Sequence, residues 1–113
     1  MDSVLVSTGG LSTIPSIDSA KKLISKGILA IELSGGKYSS TFKEDLKEIN
    51  NLASKLTLHN YCPVPKNPFV INLASSNNNI LKRSREHVKN SLNLSGQNKL
   101  PYYAVHIGFL VDP

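Results

Sequence analysis

The side chains best suited to chemistry in this sequence are Glu32, His59 and His106, each set in an otherwise apolar run. A polar group inside an apolar strand has to be paired or functional, because burying it without a partner costs free energy. Neutral imidazole is a good ligand for zinc and manganese, and it can also hydrogen-bond to a sugar hydroxyl. These residues therefore predict a ligand site, provided that the fold brings them together.

Each of these residues also has a purely structural interpretation. Backbone amides could satisfy the Glu32 carboxylate, and a histidine in an apolar strand can be a hydrogen-bonded core residue. A catalytic zinc takes three protein ligands. The sequence offers no clear third ligand. Glu32 lies one strand–helix unit before His59, and Asp112 lies beyond the last predicted strand. His87 is expected on the inner face of a helix, in a structural role.

Cys62 is the only cysteine, so no internal disulfide can form, and this favours a reducing, cytoplasmic location. Nothing in the sequence indicates a depressed pKa for its thiol. The pairs Gly9-Gly10 and Gly35-Gly36 are too short to be phosphate-binding fingerprints, although they could shape loops after strands.

The residues that carry this chemistry fall in a regular alternation of strand-like and helical segments. The predicted order is strand 4–8, helix 16–27, strand 28–33, helix 41–53, strand 56–59, helix 77–96 and strand 102–107. Such a β-α-β-α-β-α-β order predicts an α/β fold with a parallel sheet, in either an open doubly wound sheet or part of a (β/α)₈ barrel. In both, functional groups lie at the C-terminal strand ends. Ser7 or Thr8, Glu32, His59 and His106 stand there.

Helix boundaries are indicated by local signals. Ser16 is a candidate N-cap, and Thr41 with Glu44 matches a capping box. The third helix is expected to open at the asparagines of 77–79 and to end at Gly96. Its expected inner face consists of Ile80, Ser84, Val88 and Leu92.

Composition narrows the class of protein. The 113 residues are 40% hydrophobic and 19% charged, which suits one globular domain. No apolar run approaches the ~20 residues of a transmembrane helix, so no membrane association is expected. The net charge of +5 comes mainly from lysines spread along the predicted helices. A nucleic-acid partner is not expected, because such a partner usually requires basic groups clustered on one face.

Several segments together resemble one known superfamily. They are His59-Asn60-Tyr61, the Phe69–Ser75 segment FVINLAS, the Arg83–Val88 segment and the Val105–Phe109 segment VHIGF, with the Ile31–Ser34 strand also fitting. In this order they resemble the N-terminal half of the xylose-isomerase-like TIM barrels. The similarity is nearest to the sugar-phosphate isomerase/epimerase branch.

This resemblance implies that residues 1–113 form about half of a partial (β/α)₈ barrel, since a complete one needs about 250 residues. It implies that Glu32, His59 and His106 contact a sugar or sugar phosphate. Full-length relatives use a divalent metal (Mn, Mg, Co or Zn) held largely by second-half residues. This chain is therefore expected to be incomplete or inactive alone, and it need not bind a metal itself.

Two alternatives stay open. The superfamily also includes zinc apurinic endonucleases, in which the residues matching His59 and His106 bind zinc. The loop from Cys62 to Pro68 differs from the compact turn of those enzymes, which argues against this alternative. The other alternative is a non-catalytic half-barrel that forms homo-oligomers through its open sheet edges.

Overall fold

The computed structural model describes residues 4–11 and 13–113, and residues 1–3 and 12 lie outside its description. The elements follow the predicted order. They are β1 (Val6–Ser7), α1 (Ser16–Ser25), β2 (Ala30–Leu33), α2 (Phe42–Leu52), β3 (Lys55–His59), α3 (Asn78–Gln97) and β4 (Tyr103–Ala104). A short 3-10 helix, Thr8–Gly10, follows β1. The prediction of an α/β fold with four parallel strands and three α-helices is confirmed.

The four strands form one parallel sheet in the order β1-β2-β3-β4, so that strands adjacent in sequence are adjacent in space. The central pair, β2 and β3, aligns Ile31 with Leu56 and Leu33 with Leu58. Leu58 is in turn aligned with Tyr103 of β4. Because side chains alternate along a strand, these residues share one face of the sheet.

That face carries the hydrophobic core. Its buried apolar residues come from all three helices, the two central strands and the loop after β3: Ile17, Ala20, Ile31, Leu33, Phe42, Leu46, Ile49, Leu56, Leu58, Cys62 and Leu94. The opposite face carries the side chains at the intervening strand positions, including Glu32 and the Thr57 aligned with it. All three helices therefore pack on a single face. Among the described residues, no helix is long and apolar enough to cross a membrane.

The outer strands are shorter than predicted. β4 pairs only through Tyr103 and Ala104, although the apolar run continues to Ile107. The chain leaves the sheet because His106 N donates to the Asn60 side chain at 3.1 Å. Ile107 O accepts a bond from Leu73 N in the loop before α3. Hydrogen bonds to Asn60 and Leu73 thus take the place of strand pairing at His106 and Ile107.

The predicted N-cap Ser16 is wrong, whereas Thr41 is the N-cap residue of α2 as predicted but forms no capping box. α1 begins at Ser16, and Pro15 is the capping residue. The Thr41 capping box is absent, because the Thr41 hydroxyl donates to Asp45 Oδ2 at 2.7 Å instead of bonding a helix amide. The third start is confirmed: Asn77 accepts bonds from the amides of Asn79 and Ile80.

The inner face of α3 also differs from the prediction. Ser84 is buried as predicted, but Leu92 is 52% exposed and Ser91, which was not predicted to face inward, is buried. Serines face inward because they bond to loop backbone: Ser91 Oγ donates to Cys62 O at 3.0 Å, and Ser84 Oγ accepts from Asn72 N at 2.9 Å. The burial of His87 on this face confirms its predicted placement. Gly96 does not end the helix, since glycine is tolerated there and α3 continues to Gln97.

Candidate functional site

A continuous row of polar groups crosses the C-terminal ends of the four strands. We call Thr8, Ser34, His59 and His106 the strand-end array. Thr8 Oγ1 donates to Ser34 O at 3.1 Å and accepts from Ser34 N at 2.9 Å, which ties the end of β1 to the end of β2. Ser34 Oγ lies 3.3 Å from His59 Nδ1 at the end of β3. The array therefore links three consecutive strand ends before it reaches β4.

The two histidines meet at the next step of the row. The His59 and His106 rings lie edge to face, with centroids 5.2 Å apart and planes at 73°. His106 is held by its backbone, because its amide bonds Asn60 Oδ1 while Asn60 N donates to Ala104 O. The fold thus brings together two candidate residues that the sequence alone could only place at separate strand ends.

The tautomer of His59 follows from its surroundings. Its Nδ1 lies 2.7 Å from the carbonyl oxygen of Asn60. A carbonyl oxygen can only accept, so Nδ1 carries a proton, and in the neutral ring Nε2 is then the nitrogen with the lone pair. In this state His59 can accept a hydrogen bond from a hydroxyl or ligate a metal through Nε2.

Glu32 lies on the same face of the sheet, aligned with Ser7 of β1 and Thr57 of β3. Its side chain is half-buried, and within residues 4–11 and 13–113 it has no hydrogen-bonding or ionic partner. The expected satisfaction of its carboxylate by backbone amides is therefore not seen in this part of the chain. Its position leaves the carboxylate available to a ligand on this face.

These residues do not make a complete metal centre. His59 and His106 supply two imidazoles, whereas a catalytic zinc takes three protein ligands. The described part of the chain contains no group of three or more His, Cys, Asp or Glu side chains placed to hold a metal ion. Glu32 is thus not joined to the histidine pair as a ligand set, and the pair alone does not fit a catalytic zinc.

The loop before α3 and the segment after β4 are fastened together by Asn72, which is only 1% exposed. Its Oδ1 accepts from Ala74 N at 3.1 Å and from Phe109 N at 3.0 Å, and its Nδ2 donates to Asp112 at 2.7 Å. A β-carbon at Gly108 would lie 2.5 Å from Asn72 Oδ1, so this close approach requires glycine. Asn72 thereby fixes the path of the chain just beyond His106.

Sequence reasoning overlooked Ser34, Asn60 and Asn72 as positioning residues. All three are polar residues close to a strand end or in the loop before α3. The backbone of Ser34 bonds the Thr8 side chain, whereas the side chains of Asn60 and Asn72 accept from backbone amides far along the chain. Their position after a predicted strand was the available signal. Their partners could not be identified, because those bonds depend on how the loops fold over the sheet.

Comparison with known proteins adds no relative: no protein-family model, curated protein or solved structure matches this chain.

Cys62 is fully buried beside Ser16 Oγ, at 3.5 Å, and burial raises the pKa of its thiol to about 12. We expect the native protein to react with a thiol-specific disulfide reagent at pH 8 at least 100-fold more slowly than the unfolded chain, because the thiolate is scarce and inaccessible. Absorbance of the released thiol, with and without 6 M guanidinium, measures both rates. Comparable rates in the two states would contradict the buried placement.

Replacing Asn72 with alanine should remove the acceptor of two backbone amides and destabilise the protein by about 2–4 kcal/mol. The amides of Ala74 and Phe109 should lose protection selectively in hydrogen exchange. Asn78→Ala is the matched control, since Asn78 is exposed at the start of α3 and should change stability by less than ~0.5 kcal/mol. Equal effects of the two substitutions in urea denaturation would refute the fastening role of Asn72.

Proposed function

We propose that this chain is half of a sugar-phosphate isomerase/epimerase-like TIM barrel, and that its strand ends bind the sugar. The observation that carries the proposal is the strand-end array, in which hydroxyl and imidazole groups of successive parallel strands line up at one edge of the sheet. This is the edge at which parallel α/β folds hold their substrates.

The sheet topology supports a barrel over a doubly wound sheet. In a doubly wound sheet the strand order reverses and helices cover both faces. Here the described strands run in sequential order, and the core holds all three helices on one face. The other face bears the half-buried Glu32 and the fully buried Thr57, and neither residue belongs to the hydrophobic core beneath the helices. Closure with four further strands would place that face inside a barrel.

The described residues suit binding and orientation better than catalysis. His59 Nε2 can accept a bond from a sugar hydroxyl, and His106, which is exposed, can contact a second oxygen. Glu32 can accept from another hydroxyl on the same face. Isomerisation or epimerisation moves a proton beside a carbonyl and needs a base and a charge-stabilising group. We assign these roles, and any divalent metal, to second-half residues of a complete barrel.

We expect D-fructose 6-phosphate to bind this chain weakly, with a Kd of ~1 mM or above, since only half of the site is present. Imidazole ¹H–¹³C NMR spectra recorded during titration test this directly. The His59 and His106 signals should shift together and saturate, and inorganic phosphate, the control for the His87 cavity, should leave both of these rings unshifted. Absence of any saturable shift at both rings would contradict the proposal.

The histidine pair also favours an alternative, the zinc endonuclease-like function. The same NMR experiment distinguishes it: Zn²⁺ alone would shift both rings at equimolar concentration, and the protein would cleave abasic DNA. We rank this function second, because the described residues provide only two ligands.

Large apolar side chains before and after β4, such as Tyr102 and Ile107, are exposed, which favours a homo-oligomeric half-barrel as a third candidate. Light scattering over a range of concentrations tests it, and a monomer at every concentration would exclude it.

A further inference from the structure

A cavity lies away from the strand-end array, between the proline-bearing loop after β3 and α3. Its volume is about 460 Å³, within the roughly 300–1,000 Å³ typical of small-molecule sites. Apolar and aromatic groups, among them Pro65 and Phe69, form much of its wall, and cationic groups are contributed by Lys66 and Arg83. None of Glu32, His59 and His106 lines it.

Arg83 is held in place at this cavity. Its guanidinium carbon lies 4.1 Å from the centre of the Phe69 ring, and its Nη2 donates to Asn67 O at 2.7 Å. Stacking and one hydrogen bond fix the planar group while its other N–H donors stay available. Glu86 is the one carboxylate among the described lining residues, so Arg83 and Lys66 leave the lining with a net positive charge.

The buried polar group of the cavity is His87. The residue is only 7% exposed. The centroid of its ring lies 5.7 Å from the Tyr61 ring centroid and 6.2 Å from the Phe69 ring centroid. Within the described part of the chain, its Nε2 has no hydrogen-bond partner. Burial lowers the pKa of the imidazole, which keeps the ring neutral near pH 7. An unsatisfied buried nitrogen is costly to folding and is a feature of sites that receive a polar ligand.

We propose that this cavity binds a small phosphate monoester that carries a flat ring. Arg83 and Lys66 would hold the phosphate, because a dianion matches two cations and a guanidinium can bind phosphate through two donors. The ring would pack against Phe69 and Pro65 beside His87, and a ligand with a polar substituent on the ring would also bond the His87 imidazole. This site is separate from the strand-end array and does not depend on its function.

Phenyl phosphate is the probe for this site, with phenol and inorganic phosphate as its separated halves. In ¹H–¹⁵N NMR titrations, phenyl phosphate should produce saturable shifts at Lys66, Phe69 and His87 and none at His59 or His106. Each half should bind at least tenfold more weakly than phenyl phosphate, because each engages only one part of the cavity.

Arg83→Gln should weaken phenyl phosphate binding at least tenfold. The matched control is Arg85→Gln, since Arg85 is an exposed arginine of the same helix that does not line the cavity, and it should change the Kd less than twofold. Lys66→Gln keeps the contacts of Arg83 with Asn67 and Phe69, so it should weaken binding without disturbing the loop.

Three results would overturn the inference. The first is the absence of saturable shifts at the cavity with the folded wild-type protein. The second is equal weakening by Arg83→Gln and Arg85→Gln, which would indicate nonspecific attraction to a basic helix. The third is equal affinity for phenyl phosphate and inorganic phosphate, which would exclude recognition of the ring.

Discussion

The parallel register between β2 and β3 is the constraint on which the rest of the structure depends. It aligns Ile31 with Leu56 and Leu33 with Leu58, so that four apolar side chains meet the helices on one face. The same alternation assigns Glu32 and Thr57 to the other face, and a shift by one residue would exchange the two sets. Core and candidate site are therefore specified by a single pairing, because the residues of each occupy alternate positions of the same strands.

The sequence allows the element order and the core to be predicted, because period-two strands and helical apolar stripes are local patterns. It also places Glu32, His59 and His106 correctly on or just after their strands. Neighbouring parallel strands predict that the two histidines converge at one rim of the sheet, as they do. The bond from His106 N to Asn60, which draws the chain after β4 away from the sheet, could not be predicted. On the inner face of α3, Ser84 was predicted correctly, whereas Ser91 was missed, because it is buried by a bond to the Cys62 carbonyl that hydrophobic periodicity does not detect.

Asn60 and Asn72 fix the path of the chain after β4, which the short outer strand does not fix by itself. Asn60 binds the backbone on both sides of Val105, and Asn72 binds Phe109 and Asp112 further along. β4 contributes only two paired residues, so the path of the segment after it is set by these side chains. His106 is thus positioned by hydrogen bonds to loop residues, whereas His59 is positioned by strand pairing in the sheet.

The central claim is that the strand ends present His59 with Nδ1 protonated and Nε2 free to meet a ligand. Long-range ¹H–¹⁵N NMR correlation of the imidazole nitrogens at pH 8 measures this directly, since protonated and unprotonated ring nitrogens differ widely in chemical shift. Our account predicts a protonated Nδ1 and an unprotonated Nε2 for His59, because the Asn60 carbonyl can only accept. A proton on Nε2 of His59 would contradict the account, since it would remove the lone pair on which the proposed site relies.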